Sequence, residues 1–324
     1  MVELSVVVPV YGCADCLEVL YARLTPVLEA CVASYEIVLV DDCAPDGAWN
    51  VIRSLAERDP RVRGLRLSRN FGQHAAITAG LAECSGAHAV VMDCDLQDPP
   101  EAIPQLYEHA RAGHEIVLGR RKRKKQSRFR QLAASLYFRL LGAVSAHRFD
   151  GEYGAFSIIS RHVIDTYLRF RDRDRHYLFI LYWLGFGASA IEYDHAPRHS
   201  GRSSYSLRAL LRHAFHGLVF QTTALLRWIV YFGFFVSLAG ALLAAYLIFV
   251  SFSHTPPPGW TSLAVLILLI GGFVIMSTGV TGLYIGKIFE QVKDRPLYVV
   301  DKRVNDRRVQ LNDRRAQPRT GGGL

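Results

Sequence analysis

Two acids carry the sharpest chemical signal in the chain. Asp93 and Asp95 close the run HAVVMDCD. Carboxylates at i and i+2 leave an extended strand on the same side. Hard cations such as Mg²⁺ or Mn²⁺ take oxygen ligands, often one or two carboxylates plus substrate phosphates. An Asp-x-Asp after an apolar strand therefore reads as a metal–diphosphate site, although the tripeptide alone recurs by chance. Its company strengthens it. Pro9, Val10 and Tyr11 follow one apolar run, and Asp41 and Asp42 end another. Ser68, Arg69 and Asn70, the segment Asp93 to Asp98 with Gln97 inside it, and Gly119, Arg120 and Arg121 end three more. A single acidic end is explained by helix capping, as Asp98 before Pro99-Pro100 would be. The convergence of four or five polar ends is not. The sequence has no G-x-x-x-x-G-K-[ST] loop and no G-x-G-x-x-G after its first apolar run, so a nucleotide would be held by other devices.

The elements that must position these residues alternate. LSVVVPV, EIVLVDD, VRGLRLS, HAVVMDCD and EIVLG read as strands buried on both faces. Between them, residues 14–31, 47–59, 71–84 and 100–112 are long enough for helices. Alternating strand and helix predicts an α/β fold, a mainly parallel sheet covered by helices. In such sheets ligands gather at the carboxyl ends of the strands, where the polar residues fall. Cys13 and Cys16 form a C-A-D-C without a second pair, so they read as small buried thiols rather than a zinc or redox site. Six Cys in 324 residues make no disulfide scaffold. His74 lies at a helix start beside the polar ends, where a structural hydrogen bond explains it as well as substrate contact does.

The chain is 50% hydrophobic and carries a net charge of +9. Disorder is excluded for most of it. From Trp228 to Gly286 no Asp, Glu, Lys or Arg occurs. That window holds two stretches of the length a bilayer needs, about 20 residues each, separated by SHTPPPGW. Arg208, Arg212 and Arg227 precede them, and Lys287, Lys293 and Arg295 follow. The positive-inside rule then puts both ends in the cytoplasm. No basic leader and signal core open the sequence, in keeping with a cytoplasmic start. Residues 206–227 read as an amphipathic helix lying against the membrane. The run RRKRKKQSRFR, Arg120 to Arg130, has eight basic residues and no acid, and suits anionic lipid headgroups or a phosphate. From Lys302 onward the tail reads as flexible, and nothing aromatic in it supports nucleic-acid binding.

VVVPVYG, VDDCAPDG, LSRNFGQHAAITAGL and MDCDLQDPPE resemble successive signatures of family 2 glycosyltransferases, in particular the polyprenyl-phosphate branch. The resemblance runs on through SRHVIDTYL and GRSSYSLRALLRHA to GLYIGKIFEQVKDRPLYVV, covering about residues 4–300. It implies a GT-A catalytic domain over 1–205, a juxtamembrane helix over 206–227, a two-helix transmembrane hairpin over 228–286 and a cytoplasmic tail over 287–324. It also implies an enzyme of the inner (cytoplasmic) membrane, acting with Mg²⁺ or Mn²⁺, that moves a sugar from a nucleotide donor to a polyprenyl phosphate with inversion. UDP-sugar is the favoured donor and GDP-sugar the alternative; a homo-oligomer is expected. By motif match Pro9, Tyr11, Asp41 and Asp42 would line the nucleotide pocket. Asp93 and Asp95 would face the diphosphate, Asp95 being the direct metal ligand, with Gln97 near the sugar. Arg121, Arg130, Arg202 and Ser203 would meet the acceptor phosphate or the donor.

Two departures stand out. Relatives often carry a G-D-F-R-type motif whose Asp is a proposed base; here Ala155 stands in that place, with Asp150 and Glu152 nearby. A phosphate monoester, with a second pKa near 6, is largely deprotonated at pH 7 and needs positioning more than proton removal. Ser204 replaces a Lys common in relatives. A processive polysaccharide synthase is a weaker reading, since its Q-x-x-R-W motif is missing (Ala224 precedes Arg227-Trp228). A non-catalytic membrane scaffold is the third, and intact Asp93 and Asp95 argue against it.

Overall fold

The computed structural model describes residues 2–122, 153–173, 175–194 and 259–306, with positions 231–233, 235, 238 and 242. These fall into two compact units. The first draws on Met1–Leu132, Asp150–Arg202 and Arg295–Leu324, the second on Ala133–Phe149 and Ser203–Asp294.

In chain order the first unit runs β1 (Leu4–Val10), α1 (Ala14–Cys31), β2 (Tyr35–Asp41), α2 (Ala48–Arg58), β3 (Val62–Leu67), α3 (Gln73–Glu83) and β4 (His88–Val91). A 3₁₀ turn (Pro100–Ala102), α4 (Ile103–Arg111), β5 (Ile116–Arg121), β6 (Tyr153–Ser160), α5 (Arg161–Arg169), α6 (Tyr177–Leu184), β7 (Ala188–Tyr193) and β8 (Val300–Val304) follow. The sheet order is β7-β5-β6-β4-β1-β2-β3-β8. β3, β2, β1 and β4 are mutually parallel, while β6 is antiparallel to both β4 and β5. β5, parallel in turn to β7, therefore runs the same way as β4. The carboxyl ends of β1 to β5 and of β7 share one edge of the sheet.

Every residue of β1 and β2 is buried. Alternate side chains go to opposite faces. Val6, Val8, Ile37 and Leu39 join Leu17, Leu20, Leu24 and Leu28 of α1 and Ile52 and Leu55 of α2. Val7, Val38 and Val40 join Ala76, Ile77 and Ala79 of α3 and Val163, Ile164 and Tyr167 of α5. Gly80 lets α3 sit close on the sheet. A Cβ there would collide with Val7 and lie 3.1 Å from Val40 Cγ2. Gly80→Ala is therefore expected to cost about 1–3 kcal/mol by overpacking; an unchanged urea midpoint would refute this.

Glu36 lies in the sheet with no exposure. It accepts from Ser5 Oγ at 2.7 Å, Ser85 N at 2.5 Å, Ser85 Oγ at 2.9 Å and Arg63 Nη1 at 3.2 Å. Arg63 Nη1 also donates to Glu83 O at 2.5 Å. Burial opposes the Glu36 charge, but these hydrogen bonds and Arg63 win, and its carboxyl is held below the usual range.

The tail expected to be free from Lys302 onward begins instead as a strand. β8 pairs antiparallel with β3, and Asn305 Nδ2 donates to Ala56 O at 2.7 Å and Val62 O at 2.8 Å. Residues after 295 thus complete the sheet of the first unit. Backbone pairing with β3 and the packing of its end valines, Val300 and Val304, against the apolar layers hold β8, whose central residues are exposed.

In the second unit, α7 (Trp260–Val292) is one helix of 33 residues, running six residues past the expected span end at Gly286. Its exposed side chains include Leu263, Ile267, Ile270, Val274, Leu283 and Ile288. Phe232 meets Phe273 edge-on at 5.1 Å. Among the described residues no helix is long and apolar enough to cross a membrane. Most of the expected first span and all of the juxtamembrane helix lie outside those residues, so the hairpin rests on the sequence.

Candidate active site

The strand ends do converge. Asp93 and Asp95 do not leave an extended strand, however, since β4 stops at Val91. They sit on the turn that follows. Leu96 adopts φ 61° there, a conformation that costs a non-glycine residue about 1–3 kcal/mol. Its side chain is buried in the core at 3% exposure, which anchors the turn, and the Gln97 N–H donates to Asp95 Oδ1 at 3.2 Å. Thus Asp95 and Gln97 are fixed on either side of one buried leucine.

Asp93 Oδ1 accepts from Gln73 Nε2, at the start of α3, at 2.6 Å. Its carboxyl is pushed up to about 7, first by burial and then by the charges of Asp98 and Asp95; Arg121 and the Gln73 bond oppose this. Three carboxylates thus crowd one turn, a state that a bound cation would relieve. Among the described residues no group of three or more His, Cys, Asp or Glu is arranged to hold a metal. Asp93 and Asp95 fit the hard-cation pattern in which substrate phosphates complete the ligand set.

Asp41 ends β2 and Asp42 follows it, but they present no open edge. Asp41 is fully buried, with Oδ1 accepting from Ala44 N at 2.8 Å and Oδ2 3.4 Å from Arg66 Nε. Asp42 is 2% exposed and accepts from Phe71 N at 2.7 Å and Gly72 N at 2.9 Å. Burial raises both carboxyls, against these hydrogen bonds. Asp42 thereby braces the turn that aims Gln73 at Asp93. Cys43 beside them is held at φ 56°. Pro9 is buried within β1, whereas Tyr11 just beyond it is 54% exposed.

Arg121, at the end of β5, pairs in register with Tyr193 of β7. Its Nε donates to Tyr193 Oη at 3.3 Å, and its Nη2 lies 3.8 Å from Asp98 Oδ1. Tyr193 Oη donates to the same Asp98 oxygen at 2.5 Å. Asp98, read from sequence as a helix cap, thus serves this cluster. Ala155 is half-buried in β6 and packs against the apolar layer of α3 and α5, so nothing acidic stands at that strand position. Arg130, Arg202, Ser203, Ser204, Asp150 and Glu152 lie outside the described residues. Cys13 and Cys16 are buried thiols 3.1 Å apart, as expected. His74 Nδ1 accepts from Tyr177 N at 3.4 Å, and its ring lies 4.4 Å from His176, whose pKa burial lowers to about 4. Sequence reading missed Gln73 and Tyr193. Gln73 was visible in NFGQH; Tyr193 had no local signal.

Residues 5–168, which include this edge, match the pattern of "Glycosyl transferase family 2", and the chain belongs to that family. Beyond the matched domain, the chain is 34% identical over 302 residues to the bactoprenol glucosyl transferase of Shigella phage SfII, covering 93% of this chain and 98% of that protein. It is 33% identical over 317 residues to the undecaprenyl-phosphate 4-deoxy-4-formamido-L-arabinose transferase of Proteus mirabilis (strain HI4320), covering 96% of each. Among solved structures it is similar to glucosyl-3-phosphoglycerate synthase from Mycobacterium tuberculosis, in complex with Mn²⁺, UDP and glucosyl-3-phosphoglycerate. That match has TM-score 0.46 and 18% identity, covering 67% of this chain and 78% of that one.

Proposed function

We propose that the protein transfers a sugar, with inversion, from a nucleotide-sugar donor to a polyprenyl phosphate at the cytoplasmic face of a membrane. The observation that carries this reading is the reach of the likeness. The family pattern ends at residue 168, yet the relatives named for bactoprenol and undecaprenyl phosphate match over 93% or more of the chain.

In this reading Tyr11 offers its exposed ring to the base, and Pro9, Asp41 and Asp42 shape the wall behind it. Asp42 acts through the turn it braces, since both of its oxygens already accept backbone N–H groups. Asp93 and Asp95 would hold a divalent cation, Mg²⁺ or Mn²⁺, which when bound stabilises the charge on the departing diphosphate. Gln73 orients Asp93, and Gln97, tied to Asp95, faces the sugar. A phosphate oxygen of the acceptor attacks the anomeric carbon from the face opposite the leaving group. The new C–O bond forms as the old one breaks, and the electron pair leaves with the nucleoside diphosphate. Arg121, with Arg130, Arg202 and Ser203, would steady the phosphate. With Ala155 in β6, no side-chain base is invoked, since a monoester already ionised at pH 7 supplies the nucleophile. The residues 228–286 would anchor the chain as a membrane hairpin beside its lipid acceptor.

The test is mass spectrometry of lipid products made from a mixed pool of UDP- and GDP-sugars with polyprenyl phosphate. One sugar per lipid phosphate is expected. A growing polymer, or no lipid-linked sugar, would sink the reading.

A further inference from the structure

Arg121 is boxed in on three sides. Tyr193 Oη has one proton and gives it to Asp98 at 2.5 Å, and its lone pair receives Arg121 Nε at 3.3 Å. Asp98 is fully buried and Tyr193 is 4% exposed. On the third side, a Cβ on Gly154 would stand 2.8 Å from Arg121 Nη2 and 3.2 Å from Cζ, so the guanidinium lies against bare backbone. The tyrosine is itself seated by absence of bulk: a Cβ on Gly119 would stand 2.9 Å from Tyr193 Cε1 and 2.6 Å from Phe156 Cδ1. The rings of Phe156 and Tyr193 meet edge-on at 5.2 Å. Arg121 also interacts electrostatically with Asp93. With Nε fixed, the guanidinium plane is set; Nη2 lies 3.8 Å from Asp98 Oδ1, outside hydrogen-bond distance, so among the described residues the N–H groups of the terminal nitrogens can turn to a ligand. That planar fork matches phosphate oxygens.

We propose that Tyr193 is a positioning residue for the reaction: its hydroxyl, locked by Asp98, orients Arg121 to receive a phosphate oxyanion. This rests on the sugar-transfer reading above. The phosphate is either the acceptor monoester or the donor diphosphate, and both present the same oxygens to the arginine.

The test is a double-mutant cycle of Tyr193→Phe and Arg121→Lys on the full-length protein, with lipid-linked sugar as the product. Tyr193→Phe removes one oxygen and keeps the ring that packs on Phe156. It is expected to lower kcat/KM about tenfold, the scale of losing a hydrogen bond to a charged group. In the Arg121→Lys background, whose side chain has no Nε–H to hold, the same change is expected to cost less than about twofold, because the two residues act as one unit. A KM rise for polyprenyl phosphate alone would mark the acceptor as the phosphate held; a rise for the nucleotide sugar alone would mark the donor. An equal loss in both backgrounds, or none in either, overturns the proposal, since a packing role would act regardless of residue 121. If the unaltered protein makes no lipid-linked sugar, the transfer reading falls and this inference falls with it. Product from the unaltered protein with additive losses sinks the inference alone.

Discussion

Asp95→Asn is expected to lower sugar transfer by about 10³-fold. A divalent cation contributes several kcal/mol to stabilising charge in the transition state, and about 1.4 kcal/mol is a factor of ten. The amide keeps the size of the side chain and its oxygen for the Gln97 N–H, so the turn itself should survive. Asp95 is only half-buried, and the unfolding midpoint is expected to stay near that of the unaltered protein. Asp93→Asn should be equally damaging to turnover, and removal of divalent ions by a chelator should reproduce both losses reversibly. The protonation of Asp93 adds a sign. With its carboxyl near 7 in the ion-free protein, a cation must displace a proton at pH 6 but much less so at pH 8. Divalent-ion affinity should therefore tighten as pH rises across that window. Full turnover by Asp95→Asn, or metal affinity that is flat with pH, would remove the acidic turn from the chemistry.

Glu36→Ala is expected to cost about 3–5 kcal/mol of stability, the range for removing one partner of a buried ion pair. Arg63, with its side chain 6% exposed, would lose its closer carboxylate and keep only Glu83, whose Oε2 lies 3.6 Å from Nη2. Ser5, Ser85 and the Ser85 N–H would lose their common acceptor. The cost should depend on acidity. Because Glu36 has a lowered pKa in the fold, its contribution is complete above the unfolded carboxylate value of about 4.3. It fades as pH falls from there through the depressed folded value. Urea midpoints should thus differ widely at pH 7 and converge in acid. A constant gap from pH 7 to pH 3 would mean that Glu36 acts by packing rather than by charge.

The parts of the fold that were legible in the sequence are those whose burial is complete. LSVVVPV and EIVLVD are apolar enough on both faces to announce β1 and β2, and α1 fell on residues 14–31 as expected. β8 was not legible. VDKRV has exposed Asp301, Lys302 and Arg303 and joins the sheet through main-chain hydrogen bonds, which leave little trace in side-chain pattern. β7, with ASAIEY, buries only Ile191 and Tyr193 fully, too weak an alternation to read. The site divides in the same way. Asp93, Asp95, Gln97 and Arg121 follow recognisable strands, so their gathering at one edge was foreseeable. The turn at Leu96 was not, because a leucine gives no local sign of a left-handed backbone. Nor was the partnership of Asp98 with Tyr193, whose positions are far apart in the chain and meet only because β7 lies beside β5.

The pairing of β3 with β8 bears on biosynthesis. A ribosome delivers β3 early and its neighbour only after the whole second unit has been made. Until then the nascent sheet carries a bare flank of amide and carbonyl groups, a template for sticking to other chains. Any product cut short before Val300 would keep that flank for life. The late strand therefore closes the sheet, and a polypeptide that stops before it is expected to self-associate through the surface it would have covered.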